Sequence, residues 1–373
     1  NENSSIIKTN NLKIYIPIKK LYAKSNLKIE EIEIEKTNIY YNLNDILDFR
    51  NHLYYKINKP IQIKKSNFFL LDKKNNTILI SPIKKIKYFI NKKNNSKVLS
   101  IEGNIFDIDY KSFWKRHYYD PKNTLNEVKF TNPNLFIKNL FTFENKSNFK
   151  GKSSLDFLNE NITFNYVFDN NRILIDSLSK NKNQKIKISS KVQLDPFYFD
   201  TKISVIDKDL NFLIDKILYY LLSLSEENLD KINGNLIFNL SKINNPLINS
   251  GMINLSFKQK KIKLENSLLN INGIGKLVSD FRYYENKGDL IFASENIFEI
   301  NDKKEFSRKF QVSSKKIKNI EKIYFDLEKN IDSGEIFISN IYLNKINKEN
   351  FSEEFYLIKN VQILKNLIRK IIS

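Results

Sequence analysis

The sequence predicts a mainly β protein, an elongated antiparallel sheet of stacked hairpins with a few short helices and a C-terminal helix. Apolar and polar residues alternate in segment after segment, which is typical of strands with one buried face. Ile, Phe, Tyr and Val fill the apolar positions and suit a pleated surface, while Asn, Ser, Asp and Lys clusters separate the segments. Roughly 18 strands at about 4.8 Å each would extend on the order of 85 Å, which is too long for a compact globule.

The predicted strands run along the whole chain. They are residues 12–18, 27–35, 37–43, 61–71, 77–90, 98–110, 127–137, 162–169, 172–179, 185–194, 197–206, 233–241, 251–259, 261–271, 289–300, 309–317, 321–328 and 334–344.

Four segments have the apolar spacing of helices, namely residues 43–56, 111–119, 208–224 and 351–372. The segment 111–119 is short and also fits a turn. The last segment opens at Ser352 as a cap, with acidic residues beside it, and closes with Arg369 and Lys370, as the helix dipole favours. Its apolar stripe includes Leu364, Leu367, Ile368 and Ile371.

A loose internal repeat interrupts the alternation with two or three small polar residues, at 34–42, 63–71, 130–138, 264–272 and 337–344. We interpret each interruption as a turn in a stacked series of hairpins, although any hairpin protein shows similar spacing. In "KKIKLENSLLNING", residues 260–273, the turn is expected near Glu265–Ser267. Ile262 and Leu264 before it should then share one face with Leu269 and Ile271 after it.

Composition allows a sizeable core, because 41% of residues are hydrophobic and 13% aromatic, too apolar for a disordered chain. The net charge is 62 − 42 = +20, which fits either a nucleic-acid or anionic-membrane partner or a Lys-, Asn- and Ile-rich coding bias. Lys outnumbers Arg and forms no block, which favours bias over nucleic acid. The absence of cysteine excludes disulfides, thiolate metal sites and a Cys nucleophile. No apolar run reaches the roughly 18 residues of a membrane span.

The sequence offers no catalytic or metal-binding constellation, so we expect neither enzyme activity nor a cofactor. The two histidines, His52 and His117, cannot make a usual zinc site without cysteine, and His117 near Trp114 is explained by packing as well as by binding. "GIGKL", residues 273–277, ends like a phosphate-binding loop but has Leu277 where Ser or Thr is needed. Its glycines instead predict a bulge or tight turn between strands.

The C-terminal half resembles a known family. Residues 233–280, with "LENSLLNINGIGKL", followed by "YYENKGDLIFAS" and by "KIYFDLEKNIDSGEIFISNIYLN", are similar to the C-terminal region of AsmA-like envelope proteins. The shared features are short strands with polar Asn/Gly/Ser turns, a glycine pair such as Gly273 and Gly275, and a restart such as Gly334–Ile336. "LKIEEIEIEKTNIYYN" and "IQIKKSNFFLLDK" extend the resemblance to about residues 12–344. The chain lacks the family's N-terminal membrane helix, so we expect a missing N-terminal anchor segment.

The resemblance implies a fold and a role together. AsmA-like proteins are similar to bridge-like lipid-transfer proteins, whose curled antiparallel sheet forms an apolar groove. This implies a periplasmic cell-envelope protein, tethered to the inner membrane or peripheral to it, that passes phospholipid toward the outer membrane and supports its assembly. Phospholipid and membrane are the expected partners, and nucleic acid is not. The residues expected to line the groove are Ile262, Leu264, Leu269, Ile271, Ile336 and Ile338.

The expected organisation has five segments. They are an N-terminal β-groove segment (1–110), a central β segment (111–207), a helical insertion (208–232), an AsmA-like C-terminal β segment (233–345) and a C-terminal amphipathic helix (346–373).

Two alternatives to lipid transfer stay open: a structural or assembly factor of the envelope with a closed core, and, with less support, a basic nucleic-acid-binding β protein. The terminal helix either covers an open sheet edge or lies on a membrane surface. The helix at 208–224 is expected to pack on the concave face of the sheet.

Overall fold

The protein is mainly β, and its strands form a largely antiparallel sheet of consecutive hairpins in each of two compact units, Asn1–Asp200 and Thr201–Ser373. A few short helices and a C-terminal helix complete the described structure. The computed structural model describes residues 7–17, 29–42, 59–71, 75–105, 108–117, 119–120, 123–131, 134–143, 148–157, 160–169, 171–177, 184–194, 196–207, 232–245, 248–258, 261–286, 289–330, 333–344, 356–358 and 361–372.

The first unit is built from successive strands. They are β1 (Ile7–Tyr15), β2 (Glu31–Asn42), β3 (Ile61–Leu71), β4 (Thr77–Asn91), β5 (Ser96–Ile105), β6 (Ile108–His117), β7 (Asn123–Phe130), β8 (Leu135–Phe143), β9 (Asn148–Phe157), β10 (Glu160–Asp169), β11 (Arg172–Ser177) and β12 (Ile186–Leu194). The boundary between the units falls within β13 (Phe197–Ile206). From β1 to β12 each strand pairs with the next, and every pair is antiparallel except β2–β3, which is parallel.

One face of the first unit carries the aromatic side chains that the alternation placed in phase with Ile and Leu. The Trp114 ring stacks on Phe141 at a centroid distance of 5.5 Å, and Phe149 stacks on Phe168 at 4.6 Å. Tyr166 meets the Phe141 and Phe149 rings edge-on. Burial raises the pKa of the Tyr166 phenol above its ordinary value. This face is therefore a packed aromatic surface.

The second unit contains seven longer strands, a two-residue strand and three helices in the part that the structure describes. They are β14 (Gly234–Ser241), β15 (Ile248–Lys258), β16 (Lys261–Ile271), β17 (Gly275–Asn286), β18 (Asp289–Ile300), α1 (Lys303–Phe310), α2 (Ser314–Ile317), β19 (Lys322–Asn330), β20 (Ile336–Leu343), β21 (Tyr356–Leu357) and α3 (Val361–Ile372). From β14 to β21 consecutive strands pair antiparallel.

Local chemistry sets the ends of α1. The Asp302 side chain accepts a hydrogen bond from the Glu305 backbone N–H at 2.9 Å, so one unpaired donor of the first turn is satisfied. At the other end Gln311 adopts a left-handed conformation with φ of 56°, which stops the helix. Phe306 and Phe310 point into the core of the second unit. The helix therefore covers part of the sheet.

The structure confirms the predicted fold class and corrects several elements. Residues 111–119 do not form a helix, because β6 continues to His117. Residues 309–317, predicted as a strand, belong mostly to α1, a connecting turn and α2. The terminal helix is shorter than predicted, since Tyr356–Leu357 pairs with β20 and α3 begins at Val361. Residues 27–35 and 37–43, predicted as two strands, contribute to the single strand β2.

The predicted turns within the repeat are the main error. Of the five polar interruptions, the one at 130–138 is a turn between β7 and β8; the other four lie inside single strands. Each of these four strands instead contains a residue with positive φ: Lys36 (53°), Lys65 (49°), Asn266 (54°) and Asn340 (52°). The pairing register shifts by one residue near Asn266 and near Asn340, so both sites are β-bulges.

The prediction for the two glycines of 273–277 is confirmed. Gly273 has φ of 70° in the tight turn between β16 and β17. At Gly275 an added Cβ would lie 1.9 Å from the Glu299 carbonyl oxygen, so the neighbouring backbone requires glycine there. The predicted helices at 43–56 and 208–224, together with His52, lie outside the described residues.

Candidate hydrophobic ligand site

The site begins with the bulge in β16, which decides which side chains share a face. Because the period of a strand is two residues, Leu264 and Leu269 would point to opposite faces of a regular strand. The extra residue at the bulge restores the phase: Leu264 pairs with Phe281, and Leu269 pairs with Leu277, two strand periods along β17. One face of β16 therefore carries Ile262, Leu264, Leu269 and Ile271. The sequence predicted the same shared face, but from a hairpin turn near Glu265–Ser267 instead of a bulge.

The same face continues across the second unit. Leu277 pairs with Phe298, and Phe298 pairs with Ile323 on β19. Leu327, two periods further along β19, pairs with Ile338 on β20. We call this surface the apolar face; its members include Leu264, Leu277, Phe298, Ile323 and Ile338.

A cavity of about 290 Å³ lies between the apolar face and α3. Its lining comes from β15 to β20, the end of α1, Asn245 shortly before β15, and α3. The lining residues are Asn245, Ile248, Ile271, Leu277, Asn296, Phe298, Phe310, Ile323, Phe325, Leu327, Ile338, Ile341, Leu364, Leu367, Ile368 and Ile371. All but the two asparagines are apolar, and the cavity is open on one side.

The two asparagines in the lining are already engaged in hydrogen bonds. Asn296 donates through Nδ2 to Ser294 Oγ at 2.8 Å and to the Ser294 and Phe325 carbonyl oxygens, and its Oδ1 accepts from Ser279 Oγ at 2.7 Å. Asn245 Oδ1 accepts from the Ile248 backbone N–H at 3.0 Å. Since these groups are occupied within the protein, the surface presented to an occupant is essentially hydrocarbon.

The amphipathic helix α3 forms the roof of the cavity. Leu364, Leu367, Ile368 and Ile371 lie on its cavity side at the spacing of one helical face. Gln362, Asn366 and Lys370 are exposed on the other side. The arrangement matches the apolar stripe seen in the sequence.

Polar contacts attach α3 to the rest of the unit. Arg369 Nε donates to the Phe310 carbonyl oxygen at 3.1 Å, and its guanidinium also contacts the Gln311 side chain. The Lys370 ammonium lies 5.3 Å from the centroid of the Tyr356 ring, within cation–π range. The roof is thus held at the C-terminal end of α1 and at β21.

The charged side chains Lys276, Glu299 and Lys322, on the strands beside the site, lie on the opposite face of the sheet. Glu299 lies between Phe298 and Ile300 on β18 and pairs with Lys322 at 2.7 Å and with Lys276 at 3.6 Å. The Lys322 hydrogen bond holds the pKa of the Glu299 carboxyl below its ordinary value. These ion pairs leave the apolar face without charge at this position.

The predicted groove residues fall into three groups. Ile271 and Ile338 line the cavity. Ile262 and Leu264 are buried on the same apolar face, outside the cavity lining. Leu269 packs against Gly251, and Ile336 is half-buried on β20.

The cavity residues that were not predicted include three aromatic side chains, Phe298, Phe310 and Phe325, aliphatic side chains of β15, β17, β19 and β20, and the helix α3 itself. A signal for the helix existed, because its apolar stripe is visible in the sequence. What the stripe does not show is which strands the helix covers.

The expected histidine–aromatic cluster does not form. In a helix His117 and Trp114 would be neighbours, but on β6 they are three residues apart and point to opposite faces. The His117 ring Nδ1 lies 3.3 Å from the Asn94 carbonyl oxygen instead. Within the described ranges, no group of three or more His, Cys, Asp or Glu side chains could hold a metal ion.

None of the helices in the described part of the chain has the length and apolar character needed to cross a membrane.

Comparison with known proteins gives no family: no protein-family model matches the chain, and no curated protein is significantly similar to it.

Proposed function

We propose that the protein is a non-enzymatic lipid-binding protein whose second unit holds a hydrocarbon chain between the apolar face and α3. The observation that carries this proposal is the cavity of about 290 Å³ with its apolar lining and its two internally bonded asparagines. Ligand pockets typically occupy about 300–1,000 Å³. The cavity is therefore suited to one acyl chain or part of one.

An occupant would remove an energetic cost. Empty cavities in protein cores cost about 24 cal/mol per Å³, so a void of this size corresponds to at most about 7 kcal/mol. That is comparable with the whole stability of a typical domain, about 5–15 kcal/mol. Water at the open side reduces the cost, but an apolar lining gives water few hydrogen bonds. A hydrocarbon chain would bury the same surface and gain about 0.8 kcal/mol per CH₂.

The wider role follows from the sequence resemblance to AsmA-like proteins. On that basis we propose that the bound lipid is a phospholipid and that the protein works in the periplasm, tethered to the inner membrane. There it would conduct phospholipid toward the outer membrane and support outer-membrane assembly.

Native mass spectrometry of the chain purified from membranes tests the proposal. We expect a fraction of the protein to carry the mass of a phospholipid, and we expect Leu364→Phe with Ile368→Phe, which fill the cavity from α3, to lower that fraction. The matched control is Met252→Phe on β15, because Met252 is 37% exposed and lies outside the cavity lining.

Lipid-free protein from wild type and both variants would contradict lipid binding. Together with a cavity that stays closed to added fatty acid, it would favour the alternative of a structural or assembly factor with a sealed core.

A further inference from the structure

A second cavity, of about 480 Å³, lies on the first unit and has a different chemistry. Its lining includes Lys115, Lys138 and Lys152, the hydroxyl side chains of Ser154 and Thr163, and two leucines. It lies on the face of the sheet opposite to the packed aromatic surface. We call it the lysine cavity.

The pairing register explains why the lysines converge. Lys115 on β6 pairs with Leu125, Leu125 pairs with Leu140, and Leu140 pairs with Lys152 on β9. The two lysines therefore flank a leucine pair in one row across four strands, roughly 14 Å from end to end. Flexible four-carbon side chains can lean inward over the leucines from both ends.

The adjacent row supplies the remaining polar groups. Lys138, two residues before Leu140 on β8, pairs with Ser154, and Ser154 pairs with Thr163 on β10. One ammonium group and two hydroxyl groups thus stand beside the leucine pair. Ammonium and hydroxyl donors together suit a phosphate, which has several strong acceptor oxygens.

Charge in the lysine cavity is only partly balanced within the protein. Lys138 lies 3.7 Å from Glu127, so this ammonium is shared. In the part of the chain that the structure describes, neither Lys115 nor Lys152 has a carboxylate within ion-pair distance. Asp120 also borders the cavity, and its carboxylate accepts a hydrogen bond from Asn123 Nδ2 at 2.8 Å. The lining therefore keeps an excess of positive charge.

The floor is apolar and accessible. Leu140 is 48% exposed although it lies between charged neighbours, and Leu125 is half-buried beside it. An apolar patch flanked by cationic groups is complementary to a molecule that is itself anionic at one end and apolar next to it.

We infer that the lysine cavity binds a phosphate group attached to an apolar group, with Lys115, Lys138 and Lys152 holding the phosphate and the leucine pair contacting the apolar part. A phospholipid headgroup in a membrane and a soluble phosphorylated molecule share this chemistry. The inference is independent of the cavity between the apolar face and α3 in the second unit.

The test uses the full chain and two probes. Pyrophosphate, titrated by calorimetry, represents free phosphate, and vesicles of phosphatidylcholine with phosphatidylglycerol, assayed by sedimentation, represent the headgroup. The site variant carries Lys115→Gln, Lys138→Gln and Lys152→Gln. The control carries Lys92→Gln, Lys93→Gln and Lys129→Gln, which remove the same charge from exposed positions outside the lysine cavity.

We expect the site variant to bind at least one probe about tenfold more weakly than wild type, and the control to bind within about twofold. Binding of pyrophosphate alone identifies a soluble ligand, whereas binding of vesicles identifies a headgroup. Two results overturn the inference: wild type binds neither probe, or both triple variants lose binding equally, as general electrostatic attraction would require.

Circular dichroism checks whether the triple variants fold. If the site variant does not fold, Lys152→Gln alone, at an exposed position, is compared with Lys129→Gln. An equal effect of these two single substitutions also overturns the inference.

Discussion

The affinity of the second unit for fatty acids should rise with chain length and then level off at a length set by the cavity. A cavity of about 150 Å³ holds benzene, which corresponds to about 25 Å³ per carbon atom. The cavity of about 290 Å³ beneath α3 therefore accommodates about twelve carbons. Since each buried CH₂ contributes about 0.8 kcal/mol, affinity should increase about fourfold per carbon up to dodecanoate.

The assay is calorimetric titration of the full chain with fatty acids from hexanoate to hexadecanoate, each below its micelle concentration. Beyond dodecanoate the added carbons reach the open side of the cavity, so the gain per carbon should fall sharply. In the double variant Leu364→Phe with Ile368→Phe, the affinity should level off at shorter fatty acids, because the two rings take up part of the cavity volume. Met252→Phe should leave the whole series unchanged.

Two results would contradict binding of the hydrocarbon chain in the cavity. An affinity that does not depend on chain length means that the carboxylate, not the hydrocarbon, is recognised. An undiminished rise through hexadecanoate, equal in both variants, means that binding occurs on an open surface away from the cavity.

Three further outcomes are expected. Arg369→Met removes the donor to the Phe310 carbonyl oxygen and should lower the free energy of opening α3 by about 1–2 kcal/mol, seen as faster amide exchange in α3 with β14 unchanged. The Lys64 hydrogen bond lowers the pKa of the Glu33 carboxyl to about 2 from its ordinary value of about 4.5, so stability that Glu33 supplies above pH 4.5 is lost as the pH falls toward 2. In Glu33→Gln the melting temperature should therefore fall less steeply at acid pH, and an unchanged dependence on pH would count against the ion pair. Gly275→Ala should destabilise the second unit by about 1–3 kcal/mol through the clash with the neighbouring carbonyl oxygen, measured by urea unfolding, and a loss below about 0.5 kcal/mol would show that the backbone yields.

Matched variants control these three measurements. Glu31→Gln, which removes a carboxylate from the same strand, is the control for Glu33→Gln. Among the described residues, no atom lies within 4 Å of a Cβ added at Gly334, so Gly334→Ala tests left-handed backbone strain without a clash there. Gln362→Met changes an exposed position of α3 and should leave its opening unchanged.

The sequence predicts many of the strands because their signal is local, but it joins β5 with part of β6 in 98–110 and β7 with part of β8 in 127–137, and it misses β9 and β17. Alternation over a few residues places one face toward a core whatever the neighbours are, and β3, β13 and β16 begin and end where the pattern does. Polar interruptions are harder to interpret, because Asn adopts a left-handed conformation in turns and in bulges alike. Asn266 and Asn340 therefore gave the appearance of hairpin turns inside continuous strands.

The helical errors have a similar cause. In β6, Phe113 and Trp114 are adjacent apolar residues, which breaks the alternation and suggests a helix. In the structure Trp114 is half-buried and stacks on Phe141, while Phe113 is 36% exposed. For α1 a local signal was present, since Asp302 stands three residues before Glu305 as in a helix N-terminus.

The candidate site was predictable in part. Shared faces on β16 and the stripe on α3 can be read from the residues, but the cavity exists because that helix covers those strands, a contact between segments far apart in the chain. The parallel pairing of β2 with β3 is likewise a long-range choice that alternation does not encode. The lysine cavity follows from register across β6 to β10, which alternation leaves undetermined.

The most direct test of the central claim is photo-labelling of the full chain with a fatty acid that carries a diazirine in its hydrocarbon tail, followed by mapping of the labelled peptides. We expect the labels to concentrate in α3 and in the segments around Ile271 and Ile338, and unlabelled dodecanoate to compete with them. Labels spread evenly over both units, or confined to peptides outside the cavity lining, would contradict it.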